Sequence, residues 1–123
     1  MPKLLIVSLG CPKNLSDAEV MAGELVAAGW ELTAEENGAD AALINTCAFL
    51  GSAVEESEGE IRRLLRLKAR GKLSRVLVSG CLVEREKDGL MARFPGLDAL
   101  VGINALSKAA EAVESGKNYI LPA

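Results

Sequence analysis

Two kinds of stretch alternate along the chain. Leu4–Leu9 (LLIVSL), Ala41–Thr46 (AALINT) and Arg75–Ser79 (RVLVS) are near-continuous apolar runs, the pattern of strands buried on both faces of a parallel sheet. Trp30–Thr33 (WELT) alternates instead and suits a sheet edge, and Leu97–Gly102 (LDALVG) predicts a short last strand.

Between these runs the apolar spacing is helical. From about Ser16 to Ala28, Ala18, Met21, Ala22 and Leu25 form one stripe, Ser16 and Glu19 have capping-box spacing, and Gly29 suits the stop. A second helix is expected from about Ser52 to just before Gly71, where Ser52 and Glu55 repeat that spacing. Val54, Ile61, Leu64, Leu65 and the stem of Lys68 share a face. Its first half carries Glu55, Glu56, Glu58 and Glu60 and its second half arginines and a lysine, an order that complements the helix dipole. A third helix is expected from about Val83 to Phe94, ended by Pro95-Gly96, and a closing one over Ala105–Ser115.

Strands alternating with helical crossovers predict an α/β fold: an open, mainly parallel five-stranded sheet with helices on both faces, flavodoxin- or Rossmann-like, in the order 2-1-3-4-5. The domain is expected over residues 1–116, with 117–123 (KNYILPA) the start of a connection.

Composition narrows the function classes. Half the residues are hydrophobic, enough for an ordinary core. No run approaches the ~18 apolar residues of a membrane span, and Met1-Pro2-Lys3 leads straight into a strand without a secretory leader. A cytoplasmic protein without membrane association is expected. A formal net charge of −3 and four aromatic side chains argue against direct nucleic-acid binding, which needs clustered cations and stacking platforms. The one basic cluster (Arg62, Arg63, Arg66, Lys68, Arg70, Lys72) ends a helix whose start is acidic, and suits a solvated face.

The chain has no histidine, so Ser-His and Cys-His catalysis and His-containing metal sites are excluded within it. The remaining chemistry falls to carboxylates, lysine, a cofactor or the three cysteines. An odd cysteine count without a secretion signal points to metal or redox use rather than a disulfide framework.

Each cysteine ends a core strand: Cys11 follows LLIVSLG, Cys47 follows AALINT and Cys81 follows RVLVSG. In the order 2-1-3-4-5 those three strands are consecutive, ~4.8 Å apart, and their carboxyl ends lie at the crevice where open α/β sheets bind ligands. The bland reading is packing, because free cysteine is often buried. Three at strand ends favours a shared site.

Zinc would need a fourth ligand and ordinarily a close Cys-x2-Cys pair, which is missing. A phosphatase loop would need an arginine that CPKNLSD lacks. Three widely spaced thiolates suit an iron–sulfur cluster with one iron left without a protein ligand.

SLGCPKN, NTCAFLGSAVEES, SGCLVER and PGLDALVG, in that order, resemble the N-terminal domain of the radical-S-adenosylmethionine methylthiotransferases over roughly Lys3 to Gly102. The resemblance implies that Cys11, Cys47 and Cys81 ligate an auxiliary [4Fe–4S] cluster whose open iron holds the transferred sulfur. GCPKN at Gly10–Asn14 is similar to the branch that adds a methylthio group to an aspartate of a small-subunit ribosomal protein. The tRNA-modifying branch typically has GCQMN there. SDAE at Ser16–Glu19 departs slightly from the family's VDSE.

The Cys-x3-Cys-x2-Cys motif that binds the family's second [4Fe–4S] cluster, with S-adenosylmethionine, is absent from these residues. The resemblance therefore implies a fragment that partners its own radical domain, carries no catalytic residue itself and is inactive alone.

Several neighbours of the cysteines have two readings. Gly10 and Gly80 suit close approach of backbone to a cluster, a tight strand-to-helix turn, or both together. Asn14, Asn45 and Thr46 suit either hydrogen bonds to cluster sulfurs or capping of the next helix. Glu84 and Arg85 suit a solvated helix start more than a substrate face, and Trp30 suits packing. Two readings of other classes stay open: a metal-free flavodoxin-like thiol enzyme with Cys11 as nucleophile, and a binding module with inert cysteines.

Overall fold

The computed structural model describes residues 2–9, 12–33, 35, 38–46, 51–86, 88–102 and 108–116, without the side chains of 12–17, 51–53 and 88. In chain order these form β1 (Lys3–Ser8), α1 (Pro12–Ala27), β2 (Glu31–Thr33), β3 (Ala41–Thr46), α2 (Gly51–Ala69), β4 (Arg75–Gly80), α3 (Cys81–Glu86), α4 (Asp88–Arg93), β5 (Ala99–Val101) and α5 (Ala109–Ser115). The five strands make one sheet in the order β2-β1-β3-β4-β5, and every pairing is parallel. The α/β class and strand order expected from the sequence are both found.

Strand alternation divides the core in two. Leu5, Ala42, Ile44, Val76, Val78 and Leu100 point to one face, covered by Ile61 and Leu64 of α2, Leu82 and Val83 of α3, and Leu90 of α4. Leu4, Ala41, Leu43, Leu77, Ala99 and Val101 point to the other, covered by Met21 and Leu25 of α1 and Ala109, Ala112 and Val113 of α5. Being covered on both faces explains why β3 is buried at all six positions and reads as an unbroken apolar run. Trp30 packs partly buried against the second cluster, as expected. Among the described residues no helix is long and apolar enough to cross a membrane.

Register is fixed at the amino ends of the central strands. The Asp40 carboxylate accepts the Lys3 N–H at 2.7 Å, the Asp40 N–H donates to the Lys3 carbonyl at 2.8 Å, and the Ser74 N–H donates to the Asp40 carbonyl at 2.7 Å. These bonds tie together the entries to β1, β3 and β4, so the opposite ends of those strands finish level with one another.

Several details differ from the sequence reading. Helix α1 starts at Pro12, not Ser16: proline's fixed φ and missing N–H are no handicap in a first turn. Pro12 therefore opens the helix, and Ser16 lies inside it. The helix expected from about Val83 begins at Cys81, directly after β4, and its described residues run over Cys81–Glu86 and Asp88–Arg93. Lys68 contributes more than its stem, because its ammonium reaches Asp98 and the Gly96 carbonyl. The start expected for the last helix at Ala105 and the connection expected over 117–123 lie outside the described residues.

Candidate metal centre

The carboxyl ends of β1, β3 and β4 are in step. Ser8 is level with Asn45, Asn45 with Ser79, and Thr46 with Gly80. The Leu9 N–H donates to the Asn45 carbonyl at 3.0 Å, extending the β1–β3 ladder by one residue. Cys47 is the next residue after Thr46, Cys81 the next after Gly80, and Cys11 follows Leu9 by two.

Of the expected site residues, Cys81 is described: a free thiol, partly exposed, at the first position of α3. Leu82 and Val83, both fully buried, anchor that helix to the core beneath it. Gly10, Cys11 and Cys47 lie outside the described residues, so distances between the three sulfurs do too. Asn14 lies in α1, with its side chain outside the description.

Under the edge lies a polar layer in which Asn45, Thr46 and Ser79 are each fully buried. Burial of such groups is tolerated where their hydrogen bonds are met. The Thr46 hydroxyl donates to the Ser79 carbonyl at 2.6 Å and accepts the Leu82 N–H at 3.3 Å. The Ser79 hydroxyl donates to Asn45 Oδ1 at 3.2 Å, with the Ile44 carbonyl a second acceptor at 3.5 Å. Thr46 thus caps a helix, as one of its two readings held, but the helix is α3 on the neighbouring strand rather than the one that follows it in sequence.

Gly80 lies against the same layer. Its φ is +96°, in the region that favours glycine. A Cβ there would run into the Thr46 carbonyl oxygen and stand 2.8 Å from Asn45 Oδ1 and 2.9 Å from the Thr46 nitrogen. The close approach is to β3, and the geometry is that of a tight strand-to-helix turn. Glu84 is half-buried and Arg85 exposed on α3, both engaged in interactions with the chain.

Ser79 was not singled out from the sequence. Its signal is a polar residue inside an apolar run ending on a cysteine, as in INTC and VSGC.

Cys81 offers an unpaired, partly exposed thiol, the kind of soft donor that an iron–sulfur cluster takes, and the chain has no histidine to compete with it. Among the described residues no three metal-ligating side chains come together around one position.

Comparison with known proteins gives a consistent result. The chain is 42% identical over 123 residues to a ribosomal protein uS12 methylthiotransferase RimO of Elusimicrobium minutum, covering all of this chain and 29% of that protein. It is 47% identical over 119 residues to the RimO of Pelotomaculum thermopropionicum, covering 94% of this chain and 27% of that protein. With the RimO of Solibacter usitatus the identity is 43% over 112 residues, 91% of this chain and 24% of that protein. The chain therefore spans under a third of the length of these curated relatives. Residues 3–102, nearly the stretch that carries the motif resemblance, match the model of UPF0004, an uncharacterized protein family, and the chain belongs to that family.

Proposed function

We propose that this chain is the auxiliary-cluster domain of a methylthiotransferase that modifies an aspartate of ribosomal protein uS12 in the cytoplasm. Cys11, Cys47 and Cys81 are the thiolate ligands of a [4Fe–4S] cluster. When bound, the cluster supplies an iron without a protein ligand at which sulfur can be held.

The observation that carries this reading is the step-for-step register of three parallel strands, each followed within three residues by a cysteine. Relatives at 42–47% identity bear the uS12 methylthiotransferase name, and GCPKN at Gly10–Asn14 supports the protein-modifying branch over the tRNA-modifying one. No Cys-x3-Cys-x2-Cys motif occurs in the 123 residues. Cleavage of S-adenosylmethionine, with the second cluster, therefore belongs to a radical domain that this one partners, and the domain alone is inactive.

The chain's own part is to hold and shape. The buried Asn45–Ser79–Thr46 layer keeps the strand ends rigid beneath the ligands, and Gly80 lets Cys81 emerge directly from the edge of the sheet.

Anaerobic reconstitution with iron and sulfide tests the reading on the chain and on Cys11→Ala, Cys47→Ala and Cys81→Ala. The chain should turn brown with about four irons bound, and each variant should lose most of them. A colourless, iron-free chain overturns the proposal. One fast-reacting cysteine with two dispensable ones would favour a thiol enzyme. The substrate is tested in cells: deleting the gene should remove the methylthio group from uS12 and leave tRNA methylthioadenosine intact, and the opposite result assigns the tRNA branch.

A further inference from the structure

We propose that Thr46 is the positioning residue of Cys81, holding the ligand-bearing turn from both sides through one hydroxyl. The inference rests on the reading of Cys81 as a cluster ligand.

The Thr46 Oγ1 donates to the carbonyl of Ser79, two residues before Cys81, at 2.6 Å. It accepts from the N–H of Leu82, one residue after Cys81, at 3.3 Å. The four-residue turn Ser79–Gly80–Cys81–Leu82 is thereby closed over a side chain of the adjacent strand. Thr46 is fully buried, so water cannot replace the hydroxyl if it is removed, and the Leu82 N–H would be left without its acceptor.

The turn has little other freedom. Gly80 at φ +96° lies against the Thr46 backbone with no room for a Cβ, and Leu82 is locked in the core. Thr46 also immediately precedes Cys47. One residue therefore links the backbone leading to one proposed ligand with the turn that presents another. Valine has the shape and χ1 stiffness of threonine without its hydroxyl, whereas serine keeps the hydroxyl.

In a Cys11→Ala/Cys47→Ala background Cys81 is the sole thiol, and its alkylation rate by iodoacetamide at fixed pH reports how firmly the turn is held. Adding Thr46→Val should raise that rate by about tenfold, the scale of one lost hydrogen bond. Thr46→Ser should stay near the background rate, and so should Ile61→Val, which weakens the core away from the turn. In the reconstituted three-cysteine chain, Thr46→Val should shift or broaden the electron paramagnetic resonance signal of the reduced cluster, and Thr46→Ser should restore it.

Equal alkylation rates for Thr46→Val and Thr46→Ser overturn the inference. If Thr46→Val does not fold, amide exchange of the unaltered chain decides: a slowly exchanging Leu82 amide supports the inference and a freely exchanging one overturns it. A chain that binds no iron overturns the cluster reading, and the alkylation rates still decide the role of Thr46.

Discussion

The Lys68 ammonium stands 3.0 Å from both carboxylate oxygens of Asp98, and one of those oxygens accepts the Val76 N–H at 2.7 Å. Lys68 also donates to the Gly96 carbonyl at 2.7 Å. The end of α2, the start of β4 and the approach to β5 thus meet at one carboxylate. The Asp98 N–H returns a bond to the Val76 carbonyl at 2.9 Å, so the pairing of the edge strand begins here. The segment PGLDALVG, part of the family resemblance, has a clear structural task.

Asp98→Ala should therefore cost far more than Lys68→Met. The first leaves the N–H of fully buried Val76 without its acceptor, at about 2–4 kcal/mol. The second keeps the stem and loses a partly exposed ion pair, at about 0.5–1 kcal/mol. Urea unfolding of the two variants measures the gap. Equal losses would mean that the ion pair, not the backbone bond, matters at this corner.

Two glycines with nearly the same backbone angle should respond differently to alanine. Gly29, at φ +99° with open space around it, ends α1 through the Trp30 N–H to the Leu25 carbonyl and the Gly29 N–H to the Val26 carbonyl. Gly29→Ala carries conformational strain alone, about 1–2 kcal/mol. Gly80→Ala adds a collision with the backbone of β3 and should cost about 3–5 kcal/mol in all. Urea midpoints of both variants, compared with the unaltered chain, give the difference.

Arg93 bridges Glu58 and Glu86 with its guanidinium 5.3 Å from the centre of the Phe94 ring, over which Arg62 also lies at 5.6 Å. Arg93→Met keeps the stem and leaves two part-buried acids without that cation. It should destabilise the chain by about 1–2 kcal/mol at low salt. Because Arg93 is itself well exposed, the loss should shrink by roughly half near 1 M salt. Thermal unfolding at two salt concentrations checks both parts.

Periodicity carried the architecture: AALINT and RVLVS are buried on both faces and LLIVSL largely so, their apolar runs announce a parallel sheet, and the alternation of strands with helices, flavodoxin-like, supplies its order. Boundaries were less legible where two local signals competed. Ser16 and Glu19 have capping-box spacing, yet Pro12 is the better first residue and the helix takes the earlier start. The polar layer was half visible. Asn45 and Thr46 stood out beside Cys47, but their partners lie 33 to 36 residues away, and only strand register brings Ser79 and Leu82 to them. Lys68 read as a stem for the same reason, since its partner Asp98 is 30 residues on.

Glu60 offers a test with a defined sign. Burial first, and the charge of Glu56 second, hold its carboxyl above the usual carboxylate range, even though Arg63 donates to both its oxygens at 3.2 and 2.7 Å. A carboxyl whose pKa is higher folded than unfolded binds its proton more tightly in the folded state. The stability it contributes is fully present below the ordinary value near 4.3 and is lost as pH rises through the folded value. Glu60→Gln removes this titration. The stability of the unaltered chain minus that of Glu60→Gln should therefore fall as pH rises from the ordinary carboxylate range, followed by urea unfolding at steps of increasing pH. A difference that rises instead would show the Arg63 ion pair outweighing burial, and would reverse the assignment of what governs this carboxylate.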